Sequence, residues 1–344
     1  MKFLKYFLLI VIIVIAGAFV YVLIQPSDYN ISRTKVIDVP NSMAYSAVQD
    51  LRSYEVWGPW HDEDTTIVVS YAEKTVGVGA ESTWTSMEGP GKMWITEATP
   101  NESVTLQLQF DDLDPNAMFW SIKDVGGKSE VTWTMKDEDA PFVFKMASAF
   151  SGGWDNMFGP MQEQGLENLN DMLMEQKSKG IEFSFTTPKM TTLEGGTFVG
   201  IMHKSEIDHE AMSAIFMSSM PKVAQELMSK GFVYKDFTPG AMYYNWDEVN
   251  NAAEFVVGLY VKSGLENLGE TELHQHKFES TEAVKVSKFG DYGTGDMEAH
   301  TAINDMLVKE SLEFNLPILE LYVNDPEEVK PSEIQTDIYY PIKN

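Results

Sequence analysis

Hydrophobic and polar positions divide the chain into three parts with different periodicities. The first part contains an unbroken apolar run from Tyr6 to Ile24, which holds 19 residues without a charged side chain. As a helix with a rise of about 1.5 Å per residue, this run is about 28 Å long, which matches the hydrocarbon thickness of a bilayer. We therefore predict a membrane-spanning helix over residues 6–24, within an anchor and spacer that occupy residues 1–30.

The residues around this run bear on its orientation and processing. Lys2 and Lys5 precede it, which favours a cytoplasmic N-terminus and soluble domains in the periplasm or outside the cell, although basic residues also follow the run. The stretch Ala16-Gly17-Ala18 fits the cleavage site of a secretory signal. Because the apolar run continues six residues past that stretch, we favour an uncleaved, single-pass anchor.

The second part, residues 31–178, alternates as strands and ends in a long amphipathic helix. A strand over residues 34–39 precedes a helix from Asn41 to Arg52, and a helix over residues 154–179 closes the part. Six further strands are predicted between these helices, at residues 66–71, 80–87, 92–100, 103–110, 118–125 and 129–136. The pattern predicts an α+β domain in which a curved antiparallel sheet grips a helix around an apolar pocket.

Aromatic residues are frequent in this second part, and they suit either the lining of a cavity or an ordinary core. These residues are Trp57, Trp60, Trp84, Trp94, Phe110, Trp120 and Trp133. As cavity lining, they would suit a lipid or an aromatic compound.

A series of short motifs across residues 31–178 resembles the START-like (SRPBCC) superfamily of polyketide cyclases and lipid-transfer proteins. The motifs are Val39-Pro40, Trp57-Gly-Pro-Trp60, Gly77-Val-Gly79-Ala80, Trp84, Gly89–Gly91, Ile95-Thr-Glu97-Ala-Thr-Pro100 and Val131-Thr-Trp133. The resemblance implies a helix-grip fold with an apolar cavity. It implies no particular chemistry, because members of the superfamily range from binding proteins to cyclases.

The third part, residues 182–344, carries the order strand, helix, strand, strand twice. The first half has predicted strands at residues 197–203, 242–246 and 253–261 and a helix at residues 208–230, which is expected to break near Pro221 and to end at Gly231. The second half has strands at residues 283–289, 318–324 and 336–342 and a helix at residues 294–313. Each half is one layer of sheet with one helix, so we expect the two halves to pair.

One carboxylate interrupts the apolar alternation of the strand at residues 318–324. Leu319 and Leu321 point to one face of this strand, whereas Glu320 and Tyr322 point to the other. Aligning the two halves places Ala241 opposite Glu320, so the second half carries an acid that the first half lacks. This difference indicates a binding cleft between the halves, in which the acid serves a ligand.

Several aromatic residues are candidates for the same cleft, since aromatic faces attract cations. Tyr243 aligns with Tyr322, and Tyr292 precedes the second long helix. Strict alternation places Tyr243 on the face of the cleft and Trp246 on the other face, which packs on the helix, so Trp246 is expected in the core. Tyr339 and Tyr340 are adjacent, so one of them faces inward, and the sequence does not say which.

The third part also resembles the GyrI-like effector-binding family. The motifs that carry this resemblance are Pro317-Ile-Leu-Glu320-Leu-Tyr322-Val-Asn324-Asp-Pro326, Thr336-Asp-Ile-Tyr-Tyr-Pro341-Ile, and Phe289-Gly290-Asp-Tyr292, which matches the Gly-x-Tyr turn of the family. The resemblance implies a cleft between pseudo-repeats that binds amphipathic, often cationic molecules, with Glu320 as the central acid and Tyr322 beside it. The chain departs from regulators of this family because a START-like part, and no helix-turn-helix, precedes residue 182.

Composition narrows the set of partners. The chain has 52 acidic and 25 basic residues and a net charge of −27, which disfavours nucleic acid and attracts cations. Both arginines, Arg33 and Arg52, precede the third part, so no guanidinium group is present there to bind an anionic ligand. The chain has no cysteine, which excludes disulfides, thiolate chemistry and cysteine-ligated zinc.

We expect neither a metal site nor a cofactor. His274 and His276 are predicted to lie in a solvated acidic loop, and His203 and His300 have no paired ligand nearby in sequence. Phosphate-binding loops, dinucleotide fingerprints and nucleophile elbows are missing from the sequence.

The favoured hypothesis is a membrane-anchored, non-enzymatic protein that binds a small amphipathic molecule, including cations, through Glu320, Tyr322, Tyr243 and Tyr292. One alternative is a hydrolase in which Glu320 acts as the general base. Another is a lipid-handling or interaction protein that uses the START-like cavity. The sequence leaves the oligomeric state open.

Overall fold

The computed structural model describes residues 2–60, 64–87, 89–247, 249–262 and 271–343, and it has the predicted mixed α+β composition with two antiparallel sheets. The chain divides into two compact units, Met1–Gly180 and Ile181–Asn344. Each sheet belongs to one unit.

The apolar run folds as helix α1, Lys2–Leu23. Its stretch Phe3–Leu23 is long and apolar enough to cross a membrane, and almost all of its side chains are exposed in the structure. Val22 is the exception, because it is buried where the helix meets the rest of the first unit.

The first unit contains a seven-stranded antiparallel sheet with the order β1-β7-β6-β5-β4-β3-β2. Its strands are β1 (Tyr29–Ile37), β2 (Val68–Tyr71), β3 (Glu81–Thr85), β4 (Gly91–Thr99), β5 (Ser103–Phe110), β6 (Asn116–Asp124) and β7 (Ser129–Asp137). Consecutive strands are neighbours from β2 to β7, and β1 pairs with β7 in the full register Tyr29↔Asp137 to Ile37↔Ser129.

Helices that accompany this sheet include α2 (Asn41–Gln49), α3 (Tyr54–Trp57), α4 (Phe142–Ser151) and α5 (Trp154–Ser178). The long helix α5 packs along β1, where Arg33 binds Asp155 and Glu163 at 2.9 and 2.6 Å. Helix α4 was not expected from the sequence, because apolar residues lie on both its exposed side and its packed side and give no clear one-sided pattern.

Indole rings fill the space between this sheet and its helices. Trp57, Trp120 and Trp133 are fully buried, and the rings of Trp120 and Trp133 stack with centroids 4.9 Å apart. Trp57 meets both rings edge-on, at 5.4 and 6.3 Å. These three residues are therefore core residues, and they occupy space that the expected apolar cavity would need. The cavity itself stays a prediction.

The second unit contains a nine-stranded antiparallel sheet whose strand order is nearly symmetric. The strands are β8 (Ser184–Phe185), β9 (Lys189–Leu193), β10 (Gly196–Ser205), β11 (Phe237–Asp247), β12 (Ala252–Val261), β13 (His274–Phe278), β14 (Thr281–Phe289), β15 (Ile318–Tyr322) and β16 (Gln335–Pro341). The order β13-β10-β12-β11-β15-β16-β14-β8 relates the two halves across the β11–β15 pair, and β9 pairs with β14. The two halves thus pair through their central strands, as their single-layer pattern predicts.

One long helix belongs to each half, α6 (His209–Ser229) and α7 (Asp296–Lys309). The expected break at Pro221 is wrong, because α6 continues through this residue. Side chains on both sides of the proline, including Phe216 and Val223, pack on the sheet and hold the two turns together. The expected end is confirmed: Gly231 has a φ of 96°, and Phe232 N–H donates to the Leu227 carbonyl in a Schellman arrangement.

The two faces of the second sheet differ. On the face that carries α6 and α7, here called the helix face, Phe255 and Val257 pack against side chains of α6. On the opposite face, Met242, Leu319 and Leu321 join an apolar cluster that includes Phe198 and Tyr260. Leu319 and Leu321 therefore point away from the helices, and Glu320 points towards them.

Candidate functional site

Strand pairing in the second unit fixes the position of Glu320. The strands β11 and β15 run antiparallel with Ala241 directly opposite Glu320, so the two residues identified by comparing the halves are true cross-strand neighbours. On the other side, Glu320 is opposite Ile338 of β16. Because opposed residues share a face, the carboxylate lies in the middle of the helix face, and only 8% of the residue is exposed.

His300 on α7 provides the hydrogen-bond partner of this buried carboxylate. Its Nε2 lies 2.9 Å from Glu320 Oε1, and its Nδ1 lies 3.0 Å from the phenol oxygen of Tyr340. With a neutral imidazole, Nε2–H donates to the carboxylate and the phenol of Tyr340 donates to Nδ1. The second carboxylate oxygen, Oε2, is less tightly bound, since the Tyr243 hydroxyl donates to it at 3.5 Å.

The first turn of α7 adds a second pair of charges to the helix face. Lys288 on β14 is fully buried, and its Nζ lies 2.8 Å from Asp296 Oδ1 and donates to the Asp291 carbonyl at 2.9 Å. Desolvation raises the pKa of the Asp296 carboxyl, against the opposing effect of Lys288, and the charge of Glu320 raises it further. The site thus holds two carboxyl groups and one lysine side chain in addition to the His300 imidazole.

Helix geometry explains why both pairs meet at one place. Asp296 and His300 are four residues apart on α7, so they share one side of the helix and face the sheet together. The helix starts after Gly295, which has a φ of 75°, and a Cβ there would come within 2.5 Å of the Phe183 ring. Glycine at this position therefore lets α7 begin close to the sheet.

Aromatic rings surround the carboxylate. Tyr322 contacts Phe216 of α6 at 6.2 Å and Tyr292 at 5.2 Å between ring centroids, and Tyr243 packs on Phe255 at 5.8 Å. Burial raises the pKa of both Tyr243 and Tyr322 well above the ordinary value, and the negative charge of Glu320 contributes. These phenols therefore stay protonated and offer hydrogen-bond donors near the acid.

The four residues singled out in the sequence, Glu320, Tyr322, Tyr243 and Tyr292, come together between α6 and α7. Tyr292 is the most exposed of them and lies at the rim. The structure also shows which of the adjacent residues Tyr339 and Tyr340 faces the site: Tyr340 contacts His300 on the helix face. Tyr339 packs against the apolar cluster on the opposite face.

Trp246 lies on the helix face as predicted, but Tyr243 lies there too, so the predictions that the two residues occupy different faces and that Trp246 is in the core are wrong. A β-bulge shifts the register between Tyr243 and Asn245, so Trp246 lies opposite Ala253 on the same face as Tyr243. Its ring meets Tyr243 edge-on at 5.8 Å, and nearly half of the residue is exposed. Trp246 is therefore a partly exposed neighbour of Tyr243 and not a core residue.

Sequence reasoning missed His300, Asp296 and Lys288. The spacing of Asp296 and His300 on a predicted helix was an available signal that they share a side. Neither that spacing nor the position of Lys288 indicates which face of the sheet the groups meet. Their convergence on Glu320 depends on how α7 and β14 pack, which a single sequence does not reveal.

His274 and His276 are not in a loop, contrary to expectation. His274 and His276 lie on β13, on the same side of the strand, and both ring nitrogens approach the hydroxyl of Tyr244, at 3.1 and 3.2 Å. Within the described parts of the chain, no group of three or more acidic or histidine side chains is arranged to hold a metal ion.

Comparisons with known proteins give only weak similarities. No family model and no curated protein matches the chain. Among solved structures, the C-terminal domain of EcmrR is 16% identical, with 46% of this chain and 98% of that chain covered and a TM-score of 0.37. A protein from Chromobacterium violaceum is 15% identical (42% and 96% covered, TM-score 0.32), and one from Arthrobacter aurescens is 18% identical (42% and 86% covered, TM-score 0.32). Similarities of this size assign neither a family nor a function.

Proposed function

We propose that this chain is a membrane-anchored protein that binds a small amphipathic cation in its second unit, at Glu320. The supporting observation is a carboxylate that is nearly buried on the helix face, beside tyrosine rings and with one weakly bound oxygen. Burying a carboxylate is costly unless it is paired. A ligand cation at Oε2 would complete the pairing that His300 makes at Oε1.

The organisation proposed for the chain has three parts. Residues 1–30 anchor it with a cytoplasmic N-terminus, residues 31–178 form a START-like domain, and residues 182–344 form a GyrI-like effector-binding domain outside the cytoplasm. The START-like motifs of residues 39–133 and the GyrI-like motifs of residues 289–342 support the two domain assignments. The apolar helix α1 supports the anchor.

Charge and aromatic character together support a cation as the ligand. The carboxylates of Glu320 and Asp296 outnumber the ammonium of Lys288, and Lys288 is already engaged by Asp296. Tyr322, Tyr243 and Tyr292 would add about 0.5–2 kcal/mol each if their faces contact the cation. Since Glu320 is covered in the structure, the ligand would enter past the rim residue Tyr292.

Isothermal titration of tetraphenylphosphonium into the full-length protein in a nonionic detergent tests this proposal. The wild type is expected to bind, and Glu320→Gln is expected to bind at least about tenfold more weakly, a loss of about 1.4 kcal/mol. The matched control is Asp337→Asn, which neutralises an equally buried acid on the opposite face of the same sheet, paired with Lys285 at 2.7 Å. Equal affinity of the wild type and Glu320→Gln for tetraphenylphosphonium would contradict a role of the Glu320 carboxylate in binding the cation.

A second candidate function is hydrolysis with Glu320 as the general base. The chain of hydrogen bonds from Tyr340 through His300 to Glu320 favours it, because such a chain orients a carboxylate and leaves Oε2 to accept a proton from water. A panel of aryl esters and lactones tests this candidate. Turnover by the wild type that is lost in Glu320→Gln, with ligand binding retained, would favour the hydrolase over the binding protein.

A further inference from the structure

The short helix α4 carries an apolar face that the rest of the first unit leaves uncovered. Phe142, Val143, Met146 and Phe150 are all exposed, up to 67% for Phe150. Residues 142, 146 and 150 are spaced by four, so they form one stripe along a helix about 15 Å long. The other side of α4 is packed: Phe144 meets Phe110 of the sheet at 5.4 Å, and Ser148 and Ala149 are buried.

This helix lies against the C-terminal end of α1. The ring of Phe142 contacts Phe19 at 5.5 Å, Lys145 Nζ donates to the Leu23 carbonyl at 2.9 Å, and the Tyr21 hydroxyl donates to the Ala149 carbonyl at 3.5 Å. The exposed stripe is therefore continuous with the apolar surface of α1.

The length of α1 determines the depth at which α4 lies. Its apolar stretch Phe3–Leu23 has 21 residues and spans about 31 Å, close to the hydrocarbon thickness of a bilayer. If α1 crosses the membrane, residues 19–23 are at the boundary between hydrocarbon and headgroups, and α4 lies beside them. A short helix with an apolar stripe at that level is suited to lie in the interface.

We propose that α4 is an interfacial membrane helix, with Phe142, Val143, Met146 and Phe150 inserted among the lipid chains, so that it holds the first unit against the bilayer. The inference rests on the proposed anchoring by α1. The lipid it suits is zwitterionic, because acidic side chains lie beside α4 and would repel anionic headgroups. These acidic residues are Asp112, Asp114 and Asp139, which line the same surface depression as Lys145.

Site-directed spin labelling of the full-length protein in phosphatidylcholine vesicles tests this inference, and the lack of cysteine in the chain makes single labels simple to place. Labels at Met146→Cys and Phe150→Cys report on α4, and a label at Ile13→Cys reports on α1. The control is Val125→Cys, an apolar residue as exposed as Met146 that follows the far end of β6. That nine-residue strand places it about 30 Å from the end near α1, where Asn116 binds Tyr29.

The expected result is an inversion of quencher accessibility. Labels at residues 13, 146 and 150 should collide with lipid-soluble oxygen more than with a water-soluble nickel chelate, and the label at residue 125 should do the reverse. Preference for the nickel chelate at 146 and 150, with oxygen preferred at 13, would overturn the inference and leave the anchor intact. Preference for nickel at residue 13 would overturn the anchor and the inference together. Shielding of 146 and 150 from both quenchers would also overturn it, because protein and not lipid would then cover α4.

Discussion

Both units place side chains between an antiparallel sheet and its helices, but they fill that space differently. In the first unit the buried side chains are uncharged: Trp57, Trp120 and Trp133 are in mutual contact, and the buried amide of Gln162 donates to the Trp133 carbonyl. In the second unit the helix face holds Glu320 and His300 in addition to apolar residues. Burying a charged side chain is costly unless a partner of opposite charge or a hydrogen bond satisfies it. A charged ligand therefore gains more binding free energy in the second unit, where it can pair with a buried charge.

The largest expected effect on stability comes from removing one of the buried indole rings of the first unit. Trp133→Ala removes a fully buried ring that stacks on Trp120, and we expect it to lower the free energy of unfolding by about 3–5 kcal/mol. Urea denaturation of the full-length protein in nonionic detergent, followed by circular dichroism, measures the loss. Trp94→Ala is the control, because Trp94 is only partly buried. Equal losses for the two variants would contradict the role of Trp133 as a core residue.

The next largest effect on stability comes from removing a buried charge from the second unit. Lys288→Met leaves Asp296 without its ammonium partner, and we expect a loss of about 1–3 kcal/mol in the free energy of unfolding. The loss is below that of a fully buried pair, because the Asp296 side chain is 38% exposed and water screens its charge.

The double variant Lys288→Met/Asp296→Asn tests the cause of that loss. Removing both charges leaves no unpaired carboxylate, so part of the stability should return in the same urea denaturation experiment. If the double variant is no more stable than Lys288→Met, the Lys288–Asp296 pair is not the reason for the loss.

A smaller effect, on ligand affinity, concerns the tyrosine rings around Glu320. Tyr292→Ala removes a rim ring that meets Tyr322 edge-on, and we expect the affinity for tetraphenylphosphonium to fall about two- to fivefold, from a contact of about 0.5–1 kcal/mol. The matched control is Tyr234→Ala, an exposed tyrosine of the same unit that packs on Phe237. Equal affinities of Tyr292→Ala and the control variant would place Tyr292 outside the binding site.

The smallest effect is a pH dependence that comes from two histidines of the second unit. Burial lowers the pKa of the His203 and His276 imidazoles below the ordinary value of 6.5. As the pH falls below 6.5, the unfolded chain takes up these protons first, so the stability is present above that pH and is lost towards the lowered pKa values.

Unfolding measured between about pH 8 and about pH 5 checks this dependence. The double variant His203→Asn/His276→Asn should show a flatter dependence of the free energy of unfolding on pH than the wild type. Identical slopes in both proteins would show that these two imidazoles do not cause it.

Much of the fold and part of the site could be predicted because they follow from local periodicity. Alternation in residues 318–322 put Glu320 and Tyr322 on one face and Leu319 and Leu321 on the other, and the structure has this arrangement. The apolar run and the repeated order of strands and helix are equally local signals.

The sequence-based predictions were wrong or incomplete where the alternation is interrupted, where the pattern is not one-sided, or where a contact joins distant parts of the chain. A bulge after Tyr243 places Trp246 on the same face as Tyr243, and strand β13 was missed because His274 and His276 are polar residues on a strand at the sheet edge. Helix α4 was missed because apolar residues lie on both its exposed side and its packed side, which obscures a helical period. His300 was missed because its contact with Glu320 joins elements that are distant in sequence.

The most direct test of the central claim compares two ligands that differ in charge and not in shape. An arylalkyl trimethylammonium cation and its neutral tert-butyl isostere are titrated into the wild type and into Glu320→Gln. We predict that the wild type prefers the cation by about tenfold or more, about 1.4 kcal/mol, and that Glu320→Gln loses this preference while still binding the neutral compound. An unchanged preference in Glu320→Gln, or no preference in the wild type, would contradict a role for Glu320 in binding a cation.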